Sequence, residues 1–244
     1  MRITNEKFLP EKASNREEME ELQRKISSKA LSKDSKCFNA ENVRDKMVVG
    51  IDQAFLDEKA FSAAVAMKDG EVIEKVHGVS ELKMPYIPGL LAFREMPSMV
   101  AALDKLHIEP DLLMLDGSGH IHFREAGIAT HVGVLYDKPS IGVAKNLLCG
   151  RTTGKVDNLE QGERVPIQAD SKVETANEST IGYSFQSRQY PKSKRINPLY
   201  ISPGHRVSAE TSVDIVQELC DGYKLPEPTR LADKYVSETK NISS

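Results

Sequence analysis

Cysteine is scarce in this sequence, and the few residues present do not form a recognisable set. Cys37, Cys149 and Cys220 lie far apart, without CxxC or CxxH spacing, which argues against a zinc finger and against a disulfide framework. No apolar run reaches the roughly 18 residues that a membrane span needs. The first residues lack the apolar stretch of a signal peptide. These absences favour a reducing, cytoplasmic setting with no membrane partner.

The chain also has no excess of positive charge. It carries 33 Lys and Arg against 36 Asp and Glu, for a net charge of −3. Proteins that hold nucleic acid mainly by bulk charge are usually basic, so any contact with nucleic acid must use a local patch. The 244 residues are 39% hydrophobic and 28% charged, which excludes collagen-like, disordered and low-complexity classes.

The N-terminal part of the chain differs in texture from the rest. In 15–31 the apolar residues recur at spacings of three and four, which predicts an amphipathic helix that caps the core. The polar stretch 32–44 reads as a linker. We therefore expect a helical extension and linker at 1–45, packed on a core domain at 46–244.

The core domain begins with three strand-like runs. The second and third runs are separated by Asp69-Gly70, a pair typical of hairpin turns, so 47–79 is predicted to form three consecutive antiparallel strands. The later elements are predicted as a helix with Pro97 in its first turn, a strand at 112–116, a helix at 126–135, a strand at 140–144, an edge strand at 180–186, and helices after Ser208 and Pro228. This order predicts a mixed α/β sheet flanked by helices.

Two carboxylates, Asp52 and Asp116, end strand-like apolar runs. Either could simply cap a turn, but charged groups are rarely buried unless they are paired or bind a metal. Neighbouring parallel strands would bring the two together, and Glu95, close to the following helix, could lean over the same edge. Three converging carboxylates suit Mg²⁺ or Mn²⁺, and such sites support attack on a phosphodiester. The pattern therefore indicates a nuclease or another phosphoryl-transfer enzyme.

Other polar residues follow the predicted strands. In the glycine-rich segment 116–122, His120 is expected to face solvent from a turn, and His122 is the better functional candidate. Lys145 is either a solvated lysine or a ligand for a phosphate oxygen. His205 occupies a similar position after another strand-like run.

A series of short motifs spans most of 47–235. They are Val49-Gly50-Ile51-Asp52, Pro85-Tyr86-Ile87-Pro88-Gly89, Phe93-Arg94-Glu95, Asp116-Gly117-Ser118-Gly119, Ile141-Gly142-Val143-Ala144-Lys145, Asn197-Pro198-Leu199-Tyr200, Gly204-His205-Arg206-Val207-Ser208 and Leu225-Pro226-Glu227-Pro228-Thr229-Arg230. In content and order this series resembles the endonuclease V family of deoxyinosine-specific nucleases.

The resemblance implies an RNase H-like fold and a Mg²⁺-dependent DNA repair enzyme, with Mn²⁺ as a substitute. Such an enzyme recognises deoxyinosine, whose base hypoxanthine is deaminated adenine. It nicks the second phosphodiester bond 3′ to the lesion and leaves 3′-hydroxyl and 5′-phosphate ends. DNA containing deoxyinosine is then the partner, and no obligate protein partner is implied.

By motif, the resemblance makes Asp52, Glu95 and Asp116 the metal-binding acids. Lys145 would face the scissile phosphate, and His205 would stand near the acidic cluster. The residues implied to bind the substrate are Pro85, Tyr86, Ile87, Pro88, Gly89, Leu91, Arg94, Gly117, His122, Gly127 and Leu148.

Tyr86 is implied to be a wedge. Recognition of a stacked base requires flipping it out, and an aromatic side chain offsets the lost stacking. The alternative is a half-buried loop aromatic. Main-chain groups beside Gly89, Leu91, Gly117, Gly127 and Leu148 would form the base pocket, while Arg94 and His122 support the site. Ser118 departs from the family pattern, which commonly has His at this position.

Three other functions compete with this one. The first is an endoribonuclease for inosine in RNA, distinguished by whether the 2′-hydroxyl is sensed. The second is a nucleic-acid-binding protein with a silent nuclease fold, against which the intact acidic set argues. The third is an aspartyl-nucleophile phosphatase. It would need an acid two residues after the first, where this chain has Ala54 and Ser118.

Overall fold

A computed structural model describes residues 1–35, 39–174, 180–193 and 195–242, so Cys37 lies outside the described residues. The strands are β1 (Val48–Leu56), β2 (Lys59–Lys68), β3 (Glu71–Glu81), β4 (Leu112–Asp116), β5 (Ser140–Ala144), β6 (Arg151–Thr152), β7 (Arg164–Gln168), β8 (Thr180–Phe185) and β9 (Leu199–His205). The helices are α1 (Arg16–Ser27), α2 (Leu91–Leu103), α3 (Ile128–Tyr136), α4 (Ala209–Leu219) and α5 (Glu227–Ile242), with 3-10 turns at Glu6–Phe8, Pro10–Lys12 and Val43–Asp45.

The strands form one mixed sheet in the order β3-β2-β1-β4-β5-β9-β8-β7-β6. β1, β4 and β5 are mutually parallel, and β1, β2 and β3 form the expected antiparallel meander. Asp69 and Gly70 both have positive φ, 52° and 79°, as a two-residue hairpin turn requires. The predicted mixed α/β, RNase H-like architecture is confirmed.

Alternation along β1 and β4 separates two hydrophobic layers. One set of side chains packs with α2 and α3, and the other packs with α4. Val48, Leu112 and Met114 belong to the α4 layer. Because side chains alternate, Asp52 and Asp116 lie on the same face of the sheet as Val48 and Leu112.

Helix α5 packs against this face at Gly50. A Cβ atom at Gly50 would lie 2.0 Å from the carbonyl oxygen of Pro228, so only glycine allows the helix to approach so closely. Further along, Val236 of α5 packs with Phe61 and Ala63 of β2. The helix therefore runs beside the stretch of β1 that carries Asp52.

Two details of the predicted elements are wrong. β1 does not end at Asp52 but continues to Leu56, because its last residues still pair with β2. α2 begins at Leu91, so Pro97 lies inside the helix and not in its first turn. Leu90, Ala92 and Phe93 are buried in the core, and this burial outweighs the preference of proline for a helix start.

The region after β5 holds more structure than its polar sequence indicates. β8 was expected at an edge, but it pairs with both β7 and β9, and β6 forms the sheet edge instead. β6 has only two residues, and β7 contains Pro166, which argues against a strand in a sequence reading.

The N-terminal residues pack on the core. Phe8, Leu22 and Ile26 belong to the hydrophobic cluster that also contains α2 and α3. The domain boundary between residues 45 and 46 stays a prediction. None of the described helices has both the length and the apolar character needed to cross a bilayer.

Candidate active site

Two aspartates meet where the parallel pairing of β1 and β4 stops. The last paired residues are Ile51 and Leu115, and Asp52 and Asp116 follow them on one face. Asp52 is 6% exposed, and its Oδ1 accepts a hydrogen bond from the Gln53 amide at 2.7 Å. Burial, and then the charge of Asp116, raise the pKa of Asp52 to about 8.

Glu95 joins these aspartates from α2. Its side chain is buried, and no described residue donates a hydrogen bond to its carboxylate. Burial raises the pKa of Glu95 to about 8; Arg94 opposes this shift and Asp116 adds to it. Asp116 thus acts electrostatically on both buried acids.

Lys145 follows β5 and faces this group. Its Nζ donates to Oδ2 of Asp116 at 2.6 Å. Burial favours the neutral amine, but Asp116 and Asp52 outweigh it, and the pKa of Lys145 is raised. Lys145 is therefore not simply a solvated lysine.

The chemistry of these donors fits a hard divalent cation. In the part of the chain that the structure describes, no three His, Cys, Asp or Glu side chains are close enough together to hold one metal ion. However, Asp52 and Glu95 are buried carboxyl groups with raised pKa values. The positive charge near them is therefore too small to offset the cost of burying their ionised forms. An oxygen-ligated cation such as Mg²⁺ would supply that charge.

A cavity of about 350 Å³ opens beside Asp116 and Lys145. The predicted substrate-binding residues that line it are Tyr86, Gly89, Leu91, Gly117, His122, Gly127 and Leu148. These residues come from three separate stretches of the sequence, 86–91, 117–127 and 148, and the fold brings them together next to Asp116. Pro85, Ile87, Pro88 and Arg94 do not line the cavity.

Tyr86 projects from the loop between β3 and α2. Its side chain is 62% exposed, so the alternative of a half-buried loop aromatic is wrong. The loop turns at Gly89, which has a φ of +80°, and a Cβ there would lie 2.8 Å from a ring atom of Phe123. Ile87 packs on the core, while Pro85 and Pro88 are exposed on either side of it.

Arg94 and His122 hold this loop. Arg94 donates to the carbonyl of Met84 at 3.0 Å. His122 accepts from the Arg124 amide at Nδ1, so Nε2 carries the proton and donates to the Gly89 carbonyl at 3.0 Å. Burial, and then Arg124, lower the pKa of His122 to about 4, so this imidazole is neutral at pH 7.

The expectation that His205 stands near the acidic cluster is wrong. β9 runs antiparallel to β5, pairing His205 with Ser140 and Tyr200 with Ala144, so His205 lies at the far end of β5 from Lys145. There its Nε2 contacts Oδ1 of Asp137 at 3.1 Å. His120 was expected to face solvent, but it is buried at 3% exposure beneath the segment after α1.

Sequence reasoning missed Asp233 and Gln23. The charge of Asp233, on α5, raises the pKa of both Asp52 and Lys145. It follows the Leu225–Arg230 motif by less than one helical turn, which is the signal that could have found it. Gln23 of α1 lines the cavity, but its helix had been interpreted only as a cap on the core.

Cations also adjoin the site. Burial, followed by the charges of Lys145 and Arg195, lowers the pKa of Lys224. The chain as a whole is negative, so a local contact with nucleic acid would have to use cations such as these.

Comparisons with known proteins agree on one family. The family model described as Endonuclease V matches residues 25–234. An Endonuclease V from Natronomonas pharaonis is 52% identical over 242 residues, which is 98% of this chain and 98% of the relative. The crystal structure of Endonuclease V from Streptomyces avermitilis has a TM-score of 0.80 at 30% identity, covering 95% of this chain and 96% of that one.

A third similar protein was solved with a nucleic acid. Ciona intestinalis Endonuclease V was crystallised with a 24mer DNA containing an inosine followed by a ribo-adenosine. Its TM-score is 0.76 at 26% identity, with 93% of this chain and 98% of that chain covered.

Proposed function

The chain belongs to the endonuclease V family and is a nuclease, and on that premise we propose that it is a Mg²⁺-dependent DNA repair endonuclease specific for deoxyinosine. It nicks the second phosphodiester bond 3′ to the lesion and leaves 3′-hydroxyl and 5′-phosphate ends. The observation that carries this proposal is the cavity of about 350 Å³, because Asp116 and Lys145 line it together with the predicted base-binding residues.

The three acids and Lys145 have different roles in cleavage. Asp52, Glu95 and Asp116 would hold Mg²⁺, or Mn²⁺ in its place. When bound, this cation supplies Lewis-acid stabilisation of the phosphodiester and lowers the pKa of attacking water. Lys145, whose pKa is raised, remains protonated at pH 7 and donates to the scissile phosphate.

The cavity and the loop that carries Tyr86 have separate roles in recognising the lesion. The flipped hypoxanthine enters the cavity and meets main-chain groups beside Gly89, Leu91, Gly117, Gly127 and Leu148. The exposed ring of Tyr86 fills the space that the base leaves in the duplex. Pro85, Ile87 and Pro88 stiffen the loop, and Arg94 and His122 anchor it.

The Ciona intestinalis complex supports inosine as the recognised base. The same complex favours a second candidate, an endoribonuclease for inosine in RNA, since a ribonucleotide follows the inosine in that bound strand. The two functions differ in whether the 2′-hydroxyl next to the lesion aids cleavage. We place either activity in the cytoplasm, consistent with Cys149 and Cys220, which are free thiols.

Cleavage of matched oligonucleotides tests this function. Duplex DNA and RNA, each with one inosine or with adenosine in its place, are incubated with Mg²⁺ or with a chelator. We expect a Mg²⁺-dependent nick one nucleotide beyond deoxyinosine, with a 5′-phosphate that a ligase can rejoin. Faster cleavage of the RNA would establish the second candidate. Binding without cleavage of either substrate would contradict both proposed functions. If the unmodified protein cleaves its substrate, Asp116→Ala should bind that substrate without cleaving it.

A further inference from the structure

Gln23 is a fully buried polar side chain from α1, with 0% exposure, and it reaches the base cavity. A buried amide is stable only if its polar atoms are paired. Its Nε2 donates to the Gly89 carbonyl at 2.8 Å, and its Oε1 accepts from Nε of Arg124 at 2.8 Å. The amide cannot be turned round, since a guanidinium only donates and a carbonyl only accepts.

The Gly89 carbonyl is surrounded by donors. Besides Gln23, it accepts from Nε2 of His122 at 3.0 Å and lies 3.4 Å from a terminal nitrogen of Arg124. A carbonyl oxygen has two lone pairs, so these donors leave it no free acceptor site. The bond from Gln23 is the shortest of the three.

This network also fixes α1 against the site. Arg124 pairs with Glu174 at 2.9 Å, and Glu174 pairs in turn with Arg24, the residue after Gln23, at 3.0 Å. Two adjacent residues therefore hold α1 in place. Gln23 bonds to the loop that carries Tyr86, and Arg24 pairs with Glu174, which in turn pairs with Arg124.

We propose that Gln23 is a positioning residue that sets discrimination between hypoxanthine and adenine; this inference rests on the proposed function. Adenine differs from hypoxanthine by an exocyclic amine, which donates hydrogen bonds where hypoxanthine carries an accepting oxygen. With its lone pairs engaged, the Gly89 carbonyl offers that amine no partner. Gln23 thus keeps the pocket unfavourable to the undamaged base and holds the loop that carries Tyr86.

Two substitutions separate the bonds of Gln23. Gln23→Glu keeps an acceptor for Arg124 and removes the donor to Gly89, whereas Gln23→Met keeps the length and removes both bonds. Glu17→Gln, at an exposed position of the same helix, is the control. Since Gln23→Glu leaves Arg124 paired, it is the variant expected to fold normally.

The first measurement needs no substrate. The sequence has no tryptophan, so Tyr86→Trp places a single reporter in the loop. We expect lower fluorescence anisotropy and stronger acrylamide quenching when Gln23→Glu or Gln23→Met is added, and no change with Glu17→Gln. An unchanged signal in both Gln23 variants would overturn the inference, whatever the protein cleaves.

The second measurement is the ratio of single-turnover cleavage rates on deoxyinosine and deoxyadenosine duplexes. Losing one buried hydrogen bond should lower this ratio about tenfold in Gln23→Glu. A normal ratio in Gln23→Glu with a low ratio in Gln23→Met would transfer the role to Arg124 and overturn the proposal. Failure of the unmodified protein to cleave deoxyinosine would refute the proposed function instead, and the fluorescence would still decide the position of the loop.

Discussion

The two buried acids make the candidate site a source of instability when no cation is present. The pKa of Asp52 rises from 3.8 to about 8 and that of Glu95 from 4.5 to about 8. A carboxyl group whose pKa is higher in the folded than in the unfolded state contributes its full stability at pH values below its pKa in the unfolded state. That stability is lost as the pH rises toward about 8. At pH 8 each buried carboxylate therefore weakens the fold.

Asp52→Asn should consequently stabilise the cation-free protein. We expect the free energy of unfolding at pH 8 in chelator to rise by on the order of 3 kcal/mol, and by much less at pH 4. Denaturant titration measures both values. The control is Asp57→Asn, which makes the same change in an exposed turn with positive φ that asparagine tolerates. Equal stability of Asp52→Asn and the unmodified protein at pH 8 would contradict the burial argument.

Tyr86→Ala should change recognition without changing stability. The ring is 62% exposed, so its removal is expected to alter the free energy of unfolding by less than about 0.5 kcal/mol. Preference for deoxyinosine over normal duplex should fall, because no side chain then replaces the flipped base. Competition binding measures this, with Tyr223→Ala as the control, a tyrosine that is 53% exposed and lies outside the cavity. Equal loss of preference in both variants would exclude a wedge.

Individual site residues differ in how well the sequence reveals them. Asp52 and Asp116 are conspicuous because a carboxylate beside a buried apolar run needs a reason. The position of His205 depends on β9 running antiparallel to β5, which its own sequence does not encode. Gln23 resembles any polar residue of an amphipathic helix until its partners, Gly89 and Arg124, are placed.

Among the elements, the contact between α5 and β1 controls the geometry of the site. Gly50→Ala would put a methyl group 2.0 Å from the Pro228 carbonyl oxygen, so the helix must move. We expect a loss of about 3 kcal/mol in stability and a loss of cleavage, since Asp52 and Asp233 lie along this contact. Thermal unfolding measures the loss of stability in Gly50→Ala, with Gly154→Ala as the control. The new methyl group of the control would lie 3.5 Å from Val165, an ordinary van der Waals distance. Similar effects of the two substitutions would rule out the close approach as the cause.

Elements with strong local signals could be predicted, and those defined by long-range pairing could not. The hairpin at Asp69-Gly70 and the α4 start at Ser208, whose hydroxyl accepts from the Thr211 amide, are encoded by neighbouring residues. β7 is a strand through its pairing with β8, and β6 is a strand through its pairing with β7. The true start of α2 required the burial of its first turn against the core.

Positive and negative charges are distributed unevenly over the molecule as a whole. The net charge is −3, yet Lys145, which lines the cavity, and Arg195 both lower the pKa of Lys224. Binding to undamaged duplex should therefore weaken steeply with salt. Lys224→Gln or Arg195→Gln should reduce the slope of log Kd against log salt by about 1 each. Lys68→Gln, at the last residue of β2 and five residues beyond Ala63, which pairs with Asp52, should leave the slope unchanged.

The bonds that hold the N-terminal segment join residues very distant in sequence. Gln23 is 66 residues from Gly89, and Leu31, whose amide donates to His205, is 174 residues from its partner. During synthesis the N-terminal helix leaves the ribosome first, but its last anchor does not exist until β9 has emerged. The first helix to be made is thus fully anchored only after β9, the last strand of the sheet, has emerged.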